Sequence, residues 1–107
     1  MSRSEENLHK LGVIRYKNLL FNTQSWELQV EPEDETLSLS LKEGIILKLF
    51  MENPRNCLSR DFIQRAVWGK TSISPRSIDS HISKLRRKLR LSEANIEGVY
   101  GAGYVFS

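Results

Sequence analysis

The segment Pro75–Arg90 combines side chains that bind phosphate with the spacing of an amphipathic helix. Apolar residues recur in it at steps of four, three and four, which predicts one buried helix face, made of Ile78, Ile82, Leu85 and Leu89. We expect the positions between them to form an outward face of hydrogen-bond donors and positive charge. These positions are Arg76, Ser77, Asp79, Ser80, His81, Ser83, Lys84, Arg86, Arg87, Lys88 and Arg90.

The charge of this segment is opposite in sign to that of the rest of the chain. It contains six Lys or Arg residues and one acid, a balance of +5, whereas the whole chain carries +3 and the remainder therefore −2. This asymmetry predicts that an anionic partner, such as a nucleic acid, approaches from the side of the helix. A solvated helix face without a partner is the alternative, and the charge pattern alone leaves both open.

Length and composition indicate one globular domain, since the chain has 107 residues, 39% hydrophobic and 27% charged. We expect residues 1–10 to be a flexible tail or an interdomain linker and residues 11–107 to be the domain. No stretch is long and apolar enough for a membrane span or a signal peptide, so we expect a cytoplasmic protein without membrane contact. Cys57 is the single cysteine, which excludes an internal disulfide, and we expect it to be a buried apolar side chain.

Two stretches ahead of the predicted helices alternate between apolar and polar residues, as half-buried antiparallel strands do. They are Trp26–Val30 and Leu37–Leu41, and turn-forming residues occupy positions 22–25 and 32–35. We therefore expect three or four strands between residues 11 and 39, forming a small sheet that packs by one face onto the helices.

Three helices are predicted to follow, because each candidate has a hydroxyl side chain at its start and a breaker or stop signal nearby. In the first, Glu43 completes a capping box, and Gly44 is expected to permit close packing against the sheet. The first helix is expected to start at Ser40 and to stop at Asn53-Pro54, and the second to start at Ser59 and to stop at Gly69. The third is expected to start at Ser74-Pro75. The short connection between the second and third helices predicts a helix-turn-helix.

The residues after the third helix predict a terminal β-hairpin. Ile96–Tyr100 and Tyr104–Phe106 flank a turn at Gly101–Gly103. The two glycines lack the lysine of a phosphate-binding loop, so we interpret them as a tight turn. A hairpin that follows a basic helix of this kind has the position of a wing.

These motifs resemble the winged-helix effector domain of OmpR/PhoB-type response regulators, the output half of bacterial two-component systems. The resemblance covers Leu11–Phe106, and its strongest part is Arg76–Ile82 followed by Leu85-Arg86 and Lys88-Leu89. The remaining matches are Leu39-Ser40 with Glu43, Asn53-Pro54, Ser59-Arg60, Val67-Trp68-Gly69, and Gly101 with Gly103-Tyr104 and Phe106.

The resemblance implies an α+β winged helix-turn-helix with an N-terminal antiparallel sheet, three helices and a C-terminal hairpin wing. It implies sequence-specific binding of double-stranded DNA at promoter half-sites for transcription regulation, with helix 75–90 in the major groove and hairpin 96–106 as the wing. It also implies a dimer on DNA, contact with RNA polymerase, and control by phosphorylation of a receiver domain that these 107 residues do not include.

The resemblance further implies roles for individual positions. Base-facing positions are Ser80 and Lys84, and the helical spacing adds Ser83 on the same side. Phosphate contacts are implied at Trp68, Arg76, Ser77, His81, Arg86 and Tyr104, to which the charge pattern adds Arg87. The loop that contacts RNA polymerase in relatives corresponds to Lys70, Thr71 and Ser72.

Two positions depart from the family pattern. Tyr100 stands in the wing where many relatives carry an arginine that enters the minor groove, so we expect Tyr100 to pack or to touch a sugar-phosphate edge instead. Gly44 replaces a large apolar residue, which concerns packing and not binding.

Other functions predict different sequence features. A stand-alone regulator would lack the receiver domain altogether, whereas a fragment of a longer regulator would begin with a linker such as residues 1–10. A winged helix used as a protein-interaction module predicts an apolar patch on the third helix, where this chain has basic residues. An enzyme requires paired carboxylates, an activated nucleophile, a metal-ligand set or a cofactor motif, and we find none, so we expect neither catalysis nor a cofactor.

Overall fold

A computed structural model describes residues 12–32 and 35–107 of the chain. The elements follow in the order of four strands, a helix, a short strand, two helices and a hairpin. The strands are β1 (Val13–Tyr16), β2 (Leu19–Asn22), β3 (Glu27–Val30), β4 (Glu35–Ser38), β5 (Cys57–Leu58), β6 (Ile96–Val99) and β7 (Gly103–Phe106). The helices are α1 (Leu41–Glu52), α2 (Arg60–Trp68) and α3 (Pro75–Leu89). The tail predicted at residues 1–10 lies outside the described residues.

The first four strands form an antiparallel sheet in the order β1-β2-β3-β4, which confirms the predicted N-terminal sheet. The side chains of Leu19, Phe21, Leu28 and Val30 on β2 and β3 are buried. Because successive side chains of a strand point to opposite faces, these residues give the sheet one apolar face against the helices.

Two predicted strand boundaries were wrong. Trp26 was expected in a strand, but its φ is 60° and its N–H bonds the Asn22 carbonyl at 2.9 Å, so it completes the turn before β3. The stretch Leu37–Leu41 was expected as one strand, but β4 ends at Ser38 because Ser40 is the N-cap of α1. Of the turn predicted at residues 32–35, positions 33 and 34 lie outside the described part of the chain.

Each helix begins at the hydroxyl residue that the sequence indicates. Ser40 and Glu43 form both hydrogen bonds of a capping box. Ser59 and Ser74 accept hydrogen bonds from backbone N–H groups in the first turns of α2 and α3. Helix α1 ends at Glu52 with Asn53 as C-cap, and α2 ends at Trp68 with Gly69 as C-cap. None of the described helices is long and apolar enough to cross a membrane.

A second sheet has the order β5-β7-β6 and joins the hairpin to the chain segment ahead of α2. Strand β5 was not predicted. The prediction that Cys57 is buried was wrong, because Cys57 lies on this edge strand with its side chain exposed, whereas the neighbouring Leu58 is buried. The pairing of Cys57 with Val105 and of Leu58 with Tyr104 fixes the hairpin to the helical layer.

One hydrophobic core connects both sheets and all three helices. The predicted inward face of α3 is confirmed, since Ile78, Ile82, Leu85 and Leu89 are all buried. Phe106 of β7 packs with Tyr16 of β1 and Phe50 of α1, at ring-centroid distances of 4.9 and 6.3 Å. The opposite side of α3 is therefore left to face outward.

Candidate nucleic-acid interface

The outward side of α3 is a surface of basic and hydroxyl side chains, which we call the basic face. Its cations are exposed, and within the described residues none of them forms a salt bridge. The exposed members of the basic face are Arg76, Ser80, Ser83, Lys84, Arg86 and Arg87. Charges without protein partners are available to an anionic ligand.

The local sequence explains why α3 starts and ends where it does. Ser74 Oγ accepts the Ser77 N–H at 3.2 Å, and Pro75 occupies the first helical position, where a missing N–H costs nothing. Arg86, Arg87 and Lys88 occupy the last turn, where positive charge is favourable because the helix dipole is negative there.

The predicted base-facing residues lie together on the exposed side of α3. Ser83 and Lys84 lie three and four positions after Ser80, so both are its neighbours on one side of the helix, and all three are exposed. Ser77, predicted as a phosphate contact, is half-buried, and its hydroxyl lies 3.0 Å from that of Ser74.

His81 and Trp68 meet at the edge of the basic face, where a residue of α1 joins them. His81 Nδ1 lies 2.8 Å from the Ser77 carbonyl oxygen and therefore donates to it, which leaves Nε2 as the outer ring nitrogen. The Trp68 ring packs edge-on against His81 at 5.3 Å, and Lys42 Nζ lies over the same indole at 5.4 Å. Lys42 could not be identified from the sequence, because cation–π contacts between helices follow from tertiary packing.

Two residues expected on the outward face of α3 instead make contacts with other elements. Asp79 accepts hydrogen bonds from Arg60 Nε at 2.8 Å and Arg60 Nη2 at 3.3 Å. Lys88 Nζ lies 2.8 Å from the carboxylate of Glu43 and 3.1 Å from the Ser38 carbonyl oxygen. The prediction that both belong to the outward face was wrong, because the fold brings each of them close to a partner on another element.

Tyr104, predicted as a phosphate contact, is 8% exposed, and its hydroxyl donates a hydrogen bond of 2.5 Å to Asp79 Oδ1. Burial and this hydrogen bond raise the pKa of the Tyr104 phenol. The hydrogen bond from Arg60 lowers the pKa of Asp79, burial opposes it, and the Tyr104 hydroxyl adds to the lowering. The three side chains thus form one hydrogen-bonded group between α2, α3 and β7.

The hairpin presents Tyr100 at its tip, and this side chain is fully exposed. The turn is closed by the Ala102 N–H, which bonds the Val99 carbonyl at 2.9 Å, and Gly101 adopts a φ of 73° that favours glycine. Tyr100 is therefore held out on an ordered turn.

The loop between α2 and α3, for which a contact with RNA polymerase is predicted, exposes Lys70, Thr71 and Ser72. It is fastened from within by Gln64, whose amide nitrogen donates to the Thr71 carbonyl at 2.7 Å and whose amide oxygen accepts the Ile73 N–H at 3.3 Å. The conformation of the loop is thus tied to α2.

A helix-turn-helix with a wing behind it and a basic face on its second helix defines a winged-helix domain of the nucleic-acid-binding type. The sequence model of the family described as "Transcriptional regulatory protein, C terminal" matches residues 34–106. The chain therefore belongs to this family of OmpR/PhoB-type winged-helix domains. The family consists of transcription-regulator domains and not of enzymes.

A curated relative agrees with this assignment. The chain is 31% identical over 104 residues to the transcriptional regulatory protein DltR of Streptococcus agalactiae, a match covering 96% of this chain and 46% of DltR. The chain thus spans less than half the length of that relative.

Two solved structures share the fold. The DNA-binding domain of the response regulator AdeR, crystallised in complex with an intercistronic region, is 27% identical with a TM-score of 0.76. That similarity covers 87% of this chain and 97% of the AdeR chain. The DNA-binding domain of CpxR from E. coli is 28% identical with a TM-score of 0.72, covering 87% of this chain and 93% of the CpxR chain.

Proposed function

We propose that this chain binds double-stranded DNA in a sequence-specific manner and thereby regulates transcription. Helix α3 enters the major groove, and the hairpin β6–β7 contacts the adjacent backbone as a wing. The observation that carries the proposal is the basic face, whose cations are exposed and form no salt bridges within the described residues. Burying such a surface against another protein would desolvate several unpaired charges, whereas DNA supplies a phosphate for each of them.

The proposal divides the basic face into two sets of contacts. Ser80, Ser83 and Lys84 face the base edges, where Lys84 can donate to guanine O6 or N7 and the serines can donate or accept. The phosphates on either side of these base-facing residues are contacted by Trp68, Arg76, Ser77, His81, Arg86 and Arg87. Such contacts set the register of α3 on the duplex but carry no sequence information themselves.

The wing contributes through Tyr100 in this proposal. Its ring is fully exposed and has an apolar body with a polar tip, so it suits the sugar-phosphate edge of a groove. Tyr100 carries no charge, so its contact neutralises no phosphate. It should therefore add to the affinity without making the affinity more dependent on salt.

Further parts of the proposal concern the whole regulator in which this domain functions. Two copies bind tandem half-sites, the loop with Lys70, Thr71 and Ser72 contacts RNA polymerase, and a receiver domain controls the output in the cytoplasm. The exposure of the three loop side chains and their attachment through Gln64 support the polymerase contact, because a preformed loop loses little entropy on docking.

Selection of bound sequences from a random duplex pool, repeated at two salt concentrations, tests the DNA-binding proposal. We expect an enriched motif, and a titration on it should give a log–log salt slope of about −0.9 per phosphate neutralised. A slope near zero, or a pool that stays random after selection, would contradict the proposal. A double substitution Arg86→Ala/Arg87→Ala serves as the control, and it should make the slope shallower by about 2.

A further inference from the structure

Helix α3 and the hairpin β6–β7 are joined at one carboxylate. Asp79 is the single acidic residue of α3, and its Oδ1 accepts from the Tyr104 hydroxyl at 2.5 Å and from Arg60 Nε at 2.8 Å. The Arg60 guanidinium carbon also lies 5.6 Å from the centroid of the Tyr104 ring. One side chain from each of α2, α3 and β7 therefore meets at this point.

The positions of Asp79 and Tyr104 in the chain show which parts of the domain this hydrogen bond connects. Asp79 lies between the buried Ile78 and the exposed Ser80, at the border between the core and the basic face. Tyr104 follows Gly103, which pairs with Val99 across the hairpin, so Tyr104 is the first side chain of β7 beyond the turn. The Asp79–Tyr104 hydrogen bond thus connects α3 beside a base-facing residue with the hairpin close to its tip.

The chemistry of the group favours a fixed geometry. Hydrogen bonds to an ionised carboxylate are shorter and stronger than neutral ones, and Arg60 approaches with two nitrogens. The positive charge of Arg60 also compensates an acid that would otherwise repel DNA phosphates. The hydrogen bond from Arg60 holds the pKa of Asp79 below its ordinary value, so the carboxylate stays ionised where DNA binds.

We propose that Asp79 and Tyr104 are positioning residues that fix the wing relative to α3, so that Tyr100 reaches the DNA in register with Ser80 and Lys84. This inference rests on the proposed DNA binding. It gives Tyr104 a role through the wing, because the hydroxyl that would reach a phosphate is bonded to Asp79. It also includes Arg60, which the sequence did not indicate as part of the interface.

A double-mutant cycle on the full chain tests the inference, with affinity measured on the duplex selected from the random pool. Tyr104→Phe removes only the hydroxyl, and Tyr100→Ala removes the wing contact. We expect Tyr104→Phe to weaken binding about 3- to 10-fold in the wild-type background and less than about 2-fold in the Tyr100→Ala background. The Tyr104 hydroxyl acts on binding by positioning Tyr100, so its removal should have little further effect once the Tyr100 side chain is absent.

A second cycle pairs Tyr104→Phe with Arg87→Ala, and here the two factors should multiply, because Arg87 does not act through the wing. Factors that multiply in both cycles would overturn the inference, since Tyr104 would then act through general stability alone. An unchanged affinity of either Tyr104→Phe or Tyr100→Ala would overturn it too.

Asp79→Asn provides an independent variant, because the neutral amide loses the charge that strengthens the hydrogen bond from Tyr104 and attracts Arg60. It should couple to Tyr100→Ala in the same direction, and thermal unfolding should show that each variant is folded. Additive effects of Asp79→Asn and Tyr100→Ala would count against the inference. A wild-type chain that binds no duplex would overturn the proposed function itself, a result separate from any outcome of the cycles.

Discussion

The ammonium group of Lys88 lies 2.8 Å from the carboxylate of Glu43, which is 4% exposed and also accepts the Ser40 N–H at 2.8 Å. The capping carboxylate of α1 therefore also fastens the C-terminal part of α3. Lys88 belongs by sequence to the basic run that begins at Arg86, but in the fold it pairs with Glu43 and holds the end of α3 against α1.

Stability should depend on pH through Glu43. Burial raises the pKa of this carboxyl, but hydrogen bonds from Lys88 and Ser40 outweigh it, so the folded pKa lies below the ordinary value of 4.5. The stabilisation is therefore complete above 4.5 and is lost as the pH falls through the lowered folded value. Melting temperatures measured over this range should fall less steeply on acidification for Glu43→Gln than for wild type. Glu52→Gln, an exposed change in the same helix, should retain the wild-type profile, and identical profiles for all three would contradict the prediction.

Lys88 and Arg87 should separate stability from DNA binding. Lys88→Met leaves Glu43 buried with one partner fewer, so we expect a lower melting temperature and an unchanged salt slope. Arg87→Ala should have the reverse effect, an unchanged melting temperature and a slope shallower by about 1. Calorimetry and salt titrations on the same preparations measure both quantities. A reduced slope in Lys88→Met would mean that Lys88 leaves Glu43 for a phosphate.

Lys84 and Arg86 should differ in how they affect specificity. Lys84→Ala is expected to cost about 1–3 kcal/mol and to relax the preference at one base pair, whereas Arg86→Ala should weaken all sequences alike. The measurement compares affinities for the selected duplex and for its single-base variants. If both changes lowered the affinity for every duplex equally, Lys84 would be a phosphate contact and not a base contact.

The inward face of α3 should control folding. Ile82 is fully buried, so Ile82→Ala is expected to lower the free energy of unfolding by about 2–5 kcal/mol through lost burial and a residual cavity. Ser83→Ala, the next and exposed position, is the matched control and should change it by less than about 0.5 kcal/mol. Chemical unfolding with urea measures both. An unchanged midpoint for Ile82→Ala would be incompatible with the buried face.

Gly44 should resist substitution although it lies in a helix. A Cβ atom at this position would overlap the Trp26 ring, so Gly44→Ala is expected to destabilise by about 1–3 kcal/mol despite the better helix propensity of alanine. Replacing Trp26 by alanine should remove the penalty, and Gly44→Ala should then be neutral or stabilising in urea unfolding. Lys48→Ala tests propensity alone at an exposed site of the same helix. A penalty that persists without the Trp26 ring would rule out this packing explanation.

The features that the sequence predicted well depend on neighbours in the chain. Ser40, Ser59 and Ser74 cap their helices because each hydroxyl needs only a backbone N–H three residues on. The buried face of α3 was equally predictable, since helical periodicity alone brings its apolar side chains together. The close packing expected at Gly44 was correct too, although only the structure identifies Trp26 as the neighbour.

The features that the sequence did not predict depend on partners distant along the chain. Strand β5 has two residues and exists because β7 pairs with it, so Cys57 carries no local strand signal. Asp79 and Lys88 looked like members of a charged surface until the fold brought Tyr104 and Glu43 to them. Which charged side chains remain unpaired on the surface of α3 is therefore decided by tertiary structure, and composition supplies only their number.

Strand β7 is the middle strand of its sheet, with β5 on one side and β6 on the other. Gly103 is the first residue of β7, and a Cβ atom at this position would overlap the backbone of Leu58. No other amino acid fits there. Shortening the protein by these four residues would deprive both neighbours of their backbone partners and open the core at Phe106. A fragment containing only the two helices of the helix-turn-helix would lack the strand that holds them in their relative position. Grafting the motif onto another scaffold would therefore require β7 to be transferred as well.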